Sequence, residues 1–163
     1  MYDPAMDRDA TLREQLAAIL AWGDAHAGFE AAIEGIPPSL RGVVPPGLPH
    51  SAWQILEHLR LAQRDILDFC VRPEYHERTF PDDYWPAATA PETNAAWEES
   101  VAAFREDRDA MAALAQDRDV DLLARVPSGN GQTFLREILL VADHNAYHVG
   151  QLILVRRALG IWG

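Results

Sequence analysis

Between Thr133 and Gly160 the chain has a long proline-free stretch that is apolar on more than one side of a helix. Leu135, Ile138, Leu139, Ala142, Val149, Leu152 and Ile153 cover one broad face, and Leu140, Val141 and Val155 widen it. A helix this apolar has to be packed over most of its circumference, so it belongs at the centre of a helical assembly. Polar groups caught on its inner side need partners, because an unpaired polar group away from water is costly. His144 and His148 are such groups. Four residues apart, they lie one helical turn above each other on the same face.

The rest of the chain supplies helices to surround this one. Residues 11–34 read as a first helix. Thr11 and Glu14 have capping-box spacing, and Leu12, Leu16, Ile19, Gly23, Ala27 and Ile33 form a stripe near the helical period. Gly35 suits a C-cap, and Pro37 and Pro38 prevent continuation. Residues 35–50, with five prolines and three glycines, form a connector anchored by Val43, Val44 and Leu48. Ser51 and Gln54 make the next capping box, opening a second helix to about Val71 with Ile55, Leu59, Ala62, Ile66 and Phe69 inward and His58 beside them.

Residues 72–88 have no period but carry Tyr75, Phe80, Tyr84 and Trp85 among three prolines. A connection of that length is more often functional than idle, and it can cross the whole assembly. Thr89 and Glu92, with Pro91 between them, read as the start of a third helix whose buried side is Trp97, Val101, Phe104, Met111 and Leu114. The charged run 105–109 reads as a solvated stretch. An irregular segment and the turn 127–131 follow, and Thr133 caps the last helix. The expected fold is all-α: a four-helix bundle with a long crossover between helices 2 and 3, in one domain spanning 1–163.

Charge narrows the function. Fourteen basic against twenty-five acidic residues give a net charge of −11, with no basic run. That argues against nucleic acid and against an anionic membrane surface, both of which need clustered cations. Arg156 and Arg157 interrupt the apolar run 152–159, so no membrane span is expected. Met1, Tyr2, Asp3 and Pro4 lack the apolar core of a signal peptide, and a single cysteine, Cys70, suits a reducing compartment. The expected location is the cytoplasm. Phe69 and Val71 flank Cys70, which marks a buried structural thiol rather than a nucleophile.

Two imidazoles do not hold a metal well; protein zinc sites use three or four ligands. Of the six histidines, His50 and His76 fall in loops and read as surface residues. His58 sits on the apolar side of the second helix and is the natural third nitrogen. One histidine from a facing helix plus an i, i+4 pair leaves an open position for water or substrate. Spacing alone also allows hydrogen-bonded core histidines, and the glutamate of the metalloprotease motif is absent after His144.

Glu57-His58-Leu59, preceded by Trp53, together with Asp143-His144, Tyr147-His148 and Gly150-Gln151, resembles the DinB/YfiT-like family of metal-binding four-helix bundles. The likeness spans nearly the whole chain, including the proline-rich first connector and the long second crossover. It implies a divalent metal, zinc or nickel, on His58, His144 and His148, and a homodimer. It further implies a thiol-dependent transferase or isomerase using a low-molecular-weight thiol such as bacillithiol or mycothiol, with metal-dependent hydrolases as other members. The family's DNA-damage association concerns induction and implies no DNA binding.

A three-imidazole site can lower the pKa of a bound thiol or water, so the sequence leaves three readings: thiol S-transferase acting on small electrophiles, metal-dependent hydrolase, or non-catalytic metal-binding stress-response protein. Arg60, Arg64 and Arg136 could pair with a thiol's carboxylates, solvated surface charge being the plainer reading. His26 falls one heptad after Ile19 and one before Ile33, at a depth comparable to His58, and is a candidate to line the pocket or carry a proton; the plainer reading stacks it near Trp22 or Phe29. Gln151, one turn on from His148, is a candidate to orient a ligand. Asp65 is a further possible partner of His58, and Tyr84 and Trp85 could wall the pocket. Glu57, Asp143 and Tyr147 point about 100° away from their histidine neighbours and are not expected at the metal.

Overall fold

The computed structural model describes residues 4–21, 23 and 25–163. The expected absence of a signal peptide rests mainly on Met1, Tyr2 and Asp3, which lie outside the described residues. Among the described residues the fold is all-helical: α1 (Pro4–Ile19), α2 (Phe29–Ile33), a short 3-10 turn (Pro38–Leu40), α3 (Ala52–Val71), α4 (Asn94–Gln116) and α5 (Phe134–Ala158). α3 packs against both α4 and α5, α1 against α4 and α5, and α2 against α5.

The first helix is not one element over 11–34. It starts at Pro4, a residue tolerated where the first N–H has no helical partner, so Thr11 lies inside the helix rather than at its cap. It ends at Ile19, and the chain turns before α2, whose N-cap is Gly28 in an extended conformation. Leu16 and Leu20 belong to one core cluster, while Phe29 and Ile33 belong to another. Gly28, extended at the N-cap of α2 and a weak helix former, interrupts the helical run between them. Leu12, expected on the inward stripe, is 43% exposed.

The second and last helices begin where local chemistry placed them. Ser51 Oγ accepts from the Gln54 N–H and the Gln54 side chain accepts from the Ser51 N–H, each at 3.2 Å. Thr133 caps α5 by accepting from the Arg136 N–H at 3.2 Å. α4 starts one turn later than Thr89 suggested. Its N-cap is Thr93, whose hydroxyl accepts from Ala96. Thr89 is engaged elsewhere, because its carbonyl accepts from Ser51 Oγ at 2.5 Å. The run 105–109 is only partly solvated: Arg105 and Arg108 pair with Glu30, and buried Asp107 pairs with Arg64 at 3.0 Å.

Among the described residues the core forms two apolar clusters. One gathers Phe29, Trp53, Leu56, Leu59, Trp97, Phe104, Val149 and Leu152. The other gathers Leu16, Leu20, Leu67, Cys70, Met111, Val126, Ile138 and Val141. Between them along α3 and α5 sit two buried amides, Gln63 and Asn145, at 0% and 6% exposure. α5 has the length and apolarity of a membrane span, which the arginine interruption had argued against. Its inner side is nonetheless taken up by both clusters, and it buries Glu137, Asn145 and His148.

Two buried arginines close helix ends. Arg13 donates to the carbonyls of Ala115, Asp117 and Val120 at the end of α4. Arg156 donates to Ala31 and Ala32 at the end of α2 and to Ile161. Both satisfy carbonyls that no helical N–H can reach.

Candidate metal centre

The Ser51 cap fixes where α3 begins and therefore where His58 falls, in its second turn. Side chains from that face of α3 then tie down the connector 84–90. Ser51 Oγ donates to the Thr89 carbonyl, Gln54 Nε2 to the Pro86 carbonyl at 3.4 Å, and His58 Nδ1 to the Tyr84 carbonyl at 3.0 Å. Spacings of three and four residues put these donors on one stripe. The connector runs past them in the opposite sense.

α5 brings His144 and His148 to the same point. His58 Nε2 lies 3.0 Å from His148 Nε2 and 3.1 Å from His144 Nε2. Among the described residues, these three are the group whose ligand atoms converge closely enough to hold a metal ion. Gln151 Oε1 lies 2.8 Å from His148 Nδ1, as a residue orienting that ring should. His144 Nδ1 is buried and has no hydrogen-bond partner.

Hydrogen placement gives these contacts their meaning. A carbonyl oxygen only accepts, so His58 carries its hydrogen on Nδ1 and turns a bare Nε2 lone pair inward. Gln151 Oε1 imposes the same tautomer on His148. Two such lone pairs 3.0 Å apart have no proton to share when the rings are neutral. A cation between them removes the conflict. Four-coordinate zinc with nitrogen at about 2.0–2.1 Å sets a nitrogen–nitrogen edge of about 3.4 Å, a few tenths longer than the separations here. The donor set therefore fits a divalent ion with an affinity for imidazole.

The rings are also neutral. Burial pushes the His58 pKa down to about 4, helped by the charges of His148, His144 and His50, while the Tyr84 carbonyl opposes the shift. Burial and His148 take His144 down to about 4 as well. His148 is lowered by burial, with Gln151 opposing. Neutral imidazole is the ligating form, so no proton has to be displaced near pH 7.

Around the rings stand aromatic walls. Trp85 stacks on His58 at 3.8 Å and 4° between planes, and its other face carries His50 at 3.9 Å and 16°. His50 is thus no free surface residue; it is half-buried, with its Nδ1 unpaired. A cavity of about 600 Å³ opens beside His58 and His144 and reaches Asp65, Tyr84, Ser128 and Gln132. Asp65 does not touch His58. It accepts from Tyr75 at 3.1 Å and from Tyr84 at 2.6 Å, locking the connector.

Glu57 is bound by Arg60 at 2.8 Å, and Asp143 is exposed, so neither belongs to the centre. Arg64 pairs with Asp68 and Asp107, and Arg136 with Glu137. His26 is not on a helix and does not join the three histidines. It is exposed in the segment between α1 and α2, its Nδ1 3.0 Å from the Ala27 carbonyl, and it lines a separate apolar cavity against Ala142 and Val149. Trp22, its expected neighbour, lies outside the described residues. The Tyr84 carbonyl was invisible in the sequence because any residue carries one. The aromatic density of 72–88 was the signal that the segment does something.

The sequence model of the DinB superfamily matches residues 21–152, most of the chain. This protein belongs to the DinB superfamily. A three-histidine centre on α3 and α5 is compatible with that membership. Neither the curated proteins nor the solved structures give a match.

Proposed function

We propose that this DinB-superfamily chain is a divalent-metal-dependent enzyme. Its metal, zinc or nickel, would be held by His58, His144 and His148. Its reaction would be transfer of a low-molecular-weight thiol, of the bacillithiol or mycothiol kind, to a small electrophile. The observation that carries the reading is the convergence of three imidazole nitrogens, two with lone pairs fixed inward, at one end of a cavity of about 600 Å³. Bound there, a divalent ion lowers the pKa of a thiol or of water.

The chain's own residues do the rest. The Tyr84 carbonyl and Gln151 hold two rings in their ligating tautomers. Trp85 covers one face of His58 and keeps water from it. Ser128, Asn130 and Gln132 offer hydrogen bonds along the cavity, while Phe69 and Phe80 offer apolar surface for the electrophile. Metal-dependent hydrolysis would use the same centre with water as nucleophile.

The wider reading is a single four-helix-bundle domain with a long crossover from α3 to α4, acting in the cytoplasm on small molecules, without nucleic acid or membrane as partner. A second copy of the chain is its expected partner. Leu139, Tyr147 and Leu154, 43%, 64% and 50% exposed, share one outer face of α5 and support that association.

The test is a panel of thiols and electrophiles, an epoxide and a haloarene among them, with zinc- and nickel-loaded protein. Thiol consumption that needs the metal and disappears in His144→Ala supports transfer. Ester or amide cleavage without thiol consumption points to hydrolysis. Inertness in both assays, with metal bound, leaves a non-catalytic metal-binding protein.

A further inference from the structure

Two of the three converging rings have an acceptor for their outer hydrogen, and the third has none. His144 Nδ1 is buried without a partner. On the next residue, Asn145 Oδ1 is buried and without a partner too. One is a donor in the ligating tautomer and the other is an acceptor.

The orientation of the Asn145 amide is forced from α4. The Phe104 carbonyl only accepts, so the nitrogen end of Gln63 faces it, at 2.7 Å. Gln63 Oε1 is then turned to α5, where it accepts from Asn145 Nδ2 at 2.8 Å. The oxygen of Asn145 is left as its free end. Gln63 is 0% exposed and Asn145 6%, so both amides lie away from bulk solvent. Two buried amides between two apolar clusters are expensive unless every group is used, and this row leaves one oxygen over.

We propose that Asn145 is a positioning residue for His144, its side-chain oxygen taking the Nδ1 hydrogen so that Nε2 faces His58 and His148. The proposal rests on the reading of the three histidines as a metal centre. The Asn145 side chain is already a hydrogen-bonding neighbour of the His144 ring. All three rings would then be oriented by acceptors of different origin: a connector carbonyl, the glutamine one turn on, and an amide row anchored on the backbone of α4.

The test joins nitrogen-15 NMR of the imidazole rings in metal-free protein to titration with cobalt(II) alone. In the native protein His144 is expected as the Nδ1–H tautomer. Asn145→Leu, similar in size, should give a mixture of tautomers and cobalt affinity 10- to 100-fold weaker. Asn145→Asp loses the bond to Gln63 and some stability, but keeps the acceptor, and should return affinity to within a few-fold of native. Recovery of affinity without recovery of stability separates positioning from packing. A native His144 with its hydrogen on Nε2 overturns the proposal. So does Asn145→Leu with tautomer and affinity unchanged, and so does equal loss in the leucine and aspartate variants. If Asn145→Leu does not fold, the native tautomer and the aspartate variant decide. Native protein that takes up no cobalt sinks the metal reading alone, and the tautomer in the same sample still decides the role of Asn145.

Discussion

The Trp85 indole lies flat on the His58 imidazole, 3.8 Å between centroids and 4° between planes. Burial is the largest cause of the low His58 pKa, and Trp85 covers one face of the ring. Trp85→Ala should therefore raise the His58 pKa from about 4 toward its ordinary 6.5. It should also cost about 1–2 kcal/mol of stability in lost stacking and buried area. Proton NMR titration of the metal-free variant reads the first effect and urea unfolding the second. An unmoved His58 would show that its burial comes from elsewhere.

Metal-free protein should weaken in mild acid. His58 and His144 titrate near 4 when folded and near 6.5 when unfolded. Above 6.5 neither state takes up these protons. As the pH falls from 6.5 to 4 the unfolded chain binds protons that the folded chain refuses, so stability declines, then levels off for these groups. Glu30, held below 4.5 by Arg105, adds loss only further down. Urea midpoints between pH 7.5 and 4.5 measure the slope. His144→Ala should make it shallower, and a flat profile in the native protein would contradict the buried neutral rings.

Removing either α3 or α5 from the centre should end tight metal binding. His58→Ala and His144→Ala are each expected to lose stoichiometric zinc or nickel, while His26→Ala, exposed and outside the cluster, keeps it. Elemental analysis of untagged protein reads the outcome. A full metal complement in His58→Ala would move the centre elsewhere.

Cys70 should be inert in the folded chain. Burial, with the charge of Glu137 adding, pushes its thiol up to about 12, so almost no thiolate exists at pH 8. An aromatic disulfide reagent should label it at least about 100-fold more slowly in buffer than in urea. Equal rates would place the thiol at the surface.

The revised start of α4 is testable on two threonines. Thr93→Ala removes an N-cap and should cost about 1 kcal/mol. Thr89→Ala leaves its bonded carbonyl in place and should fall within about 0.5 kcal/mol of native. Paired urea titrations compare them.

These two threonines mark the limit of what the sequence discloses. The Ser51–Gln54 box was legible because donor and acceptor are three residues apart, and the His144–His148 pair because a helix turns every 3.6 residues. Thr89 was misread because the contact that occupies it comes from Ser51, 38 residues away. The break between α1 and α2 was less legible: the apolar residues from Leu12 to Ile33 read as one stripe, and Gly28, extended at the α2 N-cap, interrupts it. His58 as the third nitrogen followed from its apolar face. Its carbonyl partner did not, and neither did Asn145, which reads on paper as one more polar residue beside a histidine.

Beside the stack of His58 on Trp85, the side chains of Ser51, Gln54 and His58 hydrogen-bond the connector at main-chain oxygens. Those bonds do not depend on which residue supplies the oxygen. Replacing Pro86 or Thr89 leaves each acceptor standing, whereas inserting or deleting one residue between them would put every later oxygen out of step with α3. The centre is thus indifferent to much of the spelling of this segment but intolerant of a change in its count. Substitutions at Pro86 and Thr89 should therefore be tolerated provided the distance along the chain from Tyr84 to Thr89 stays fixed.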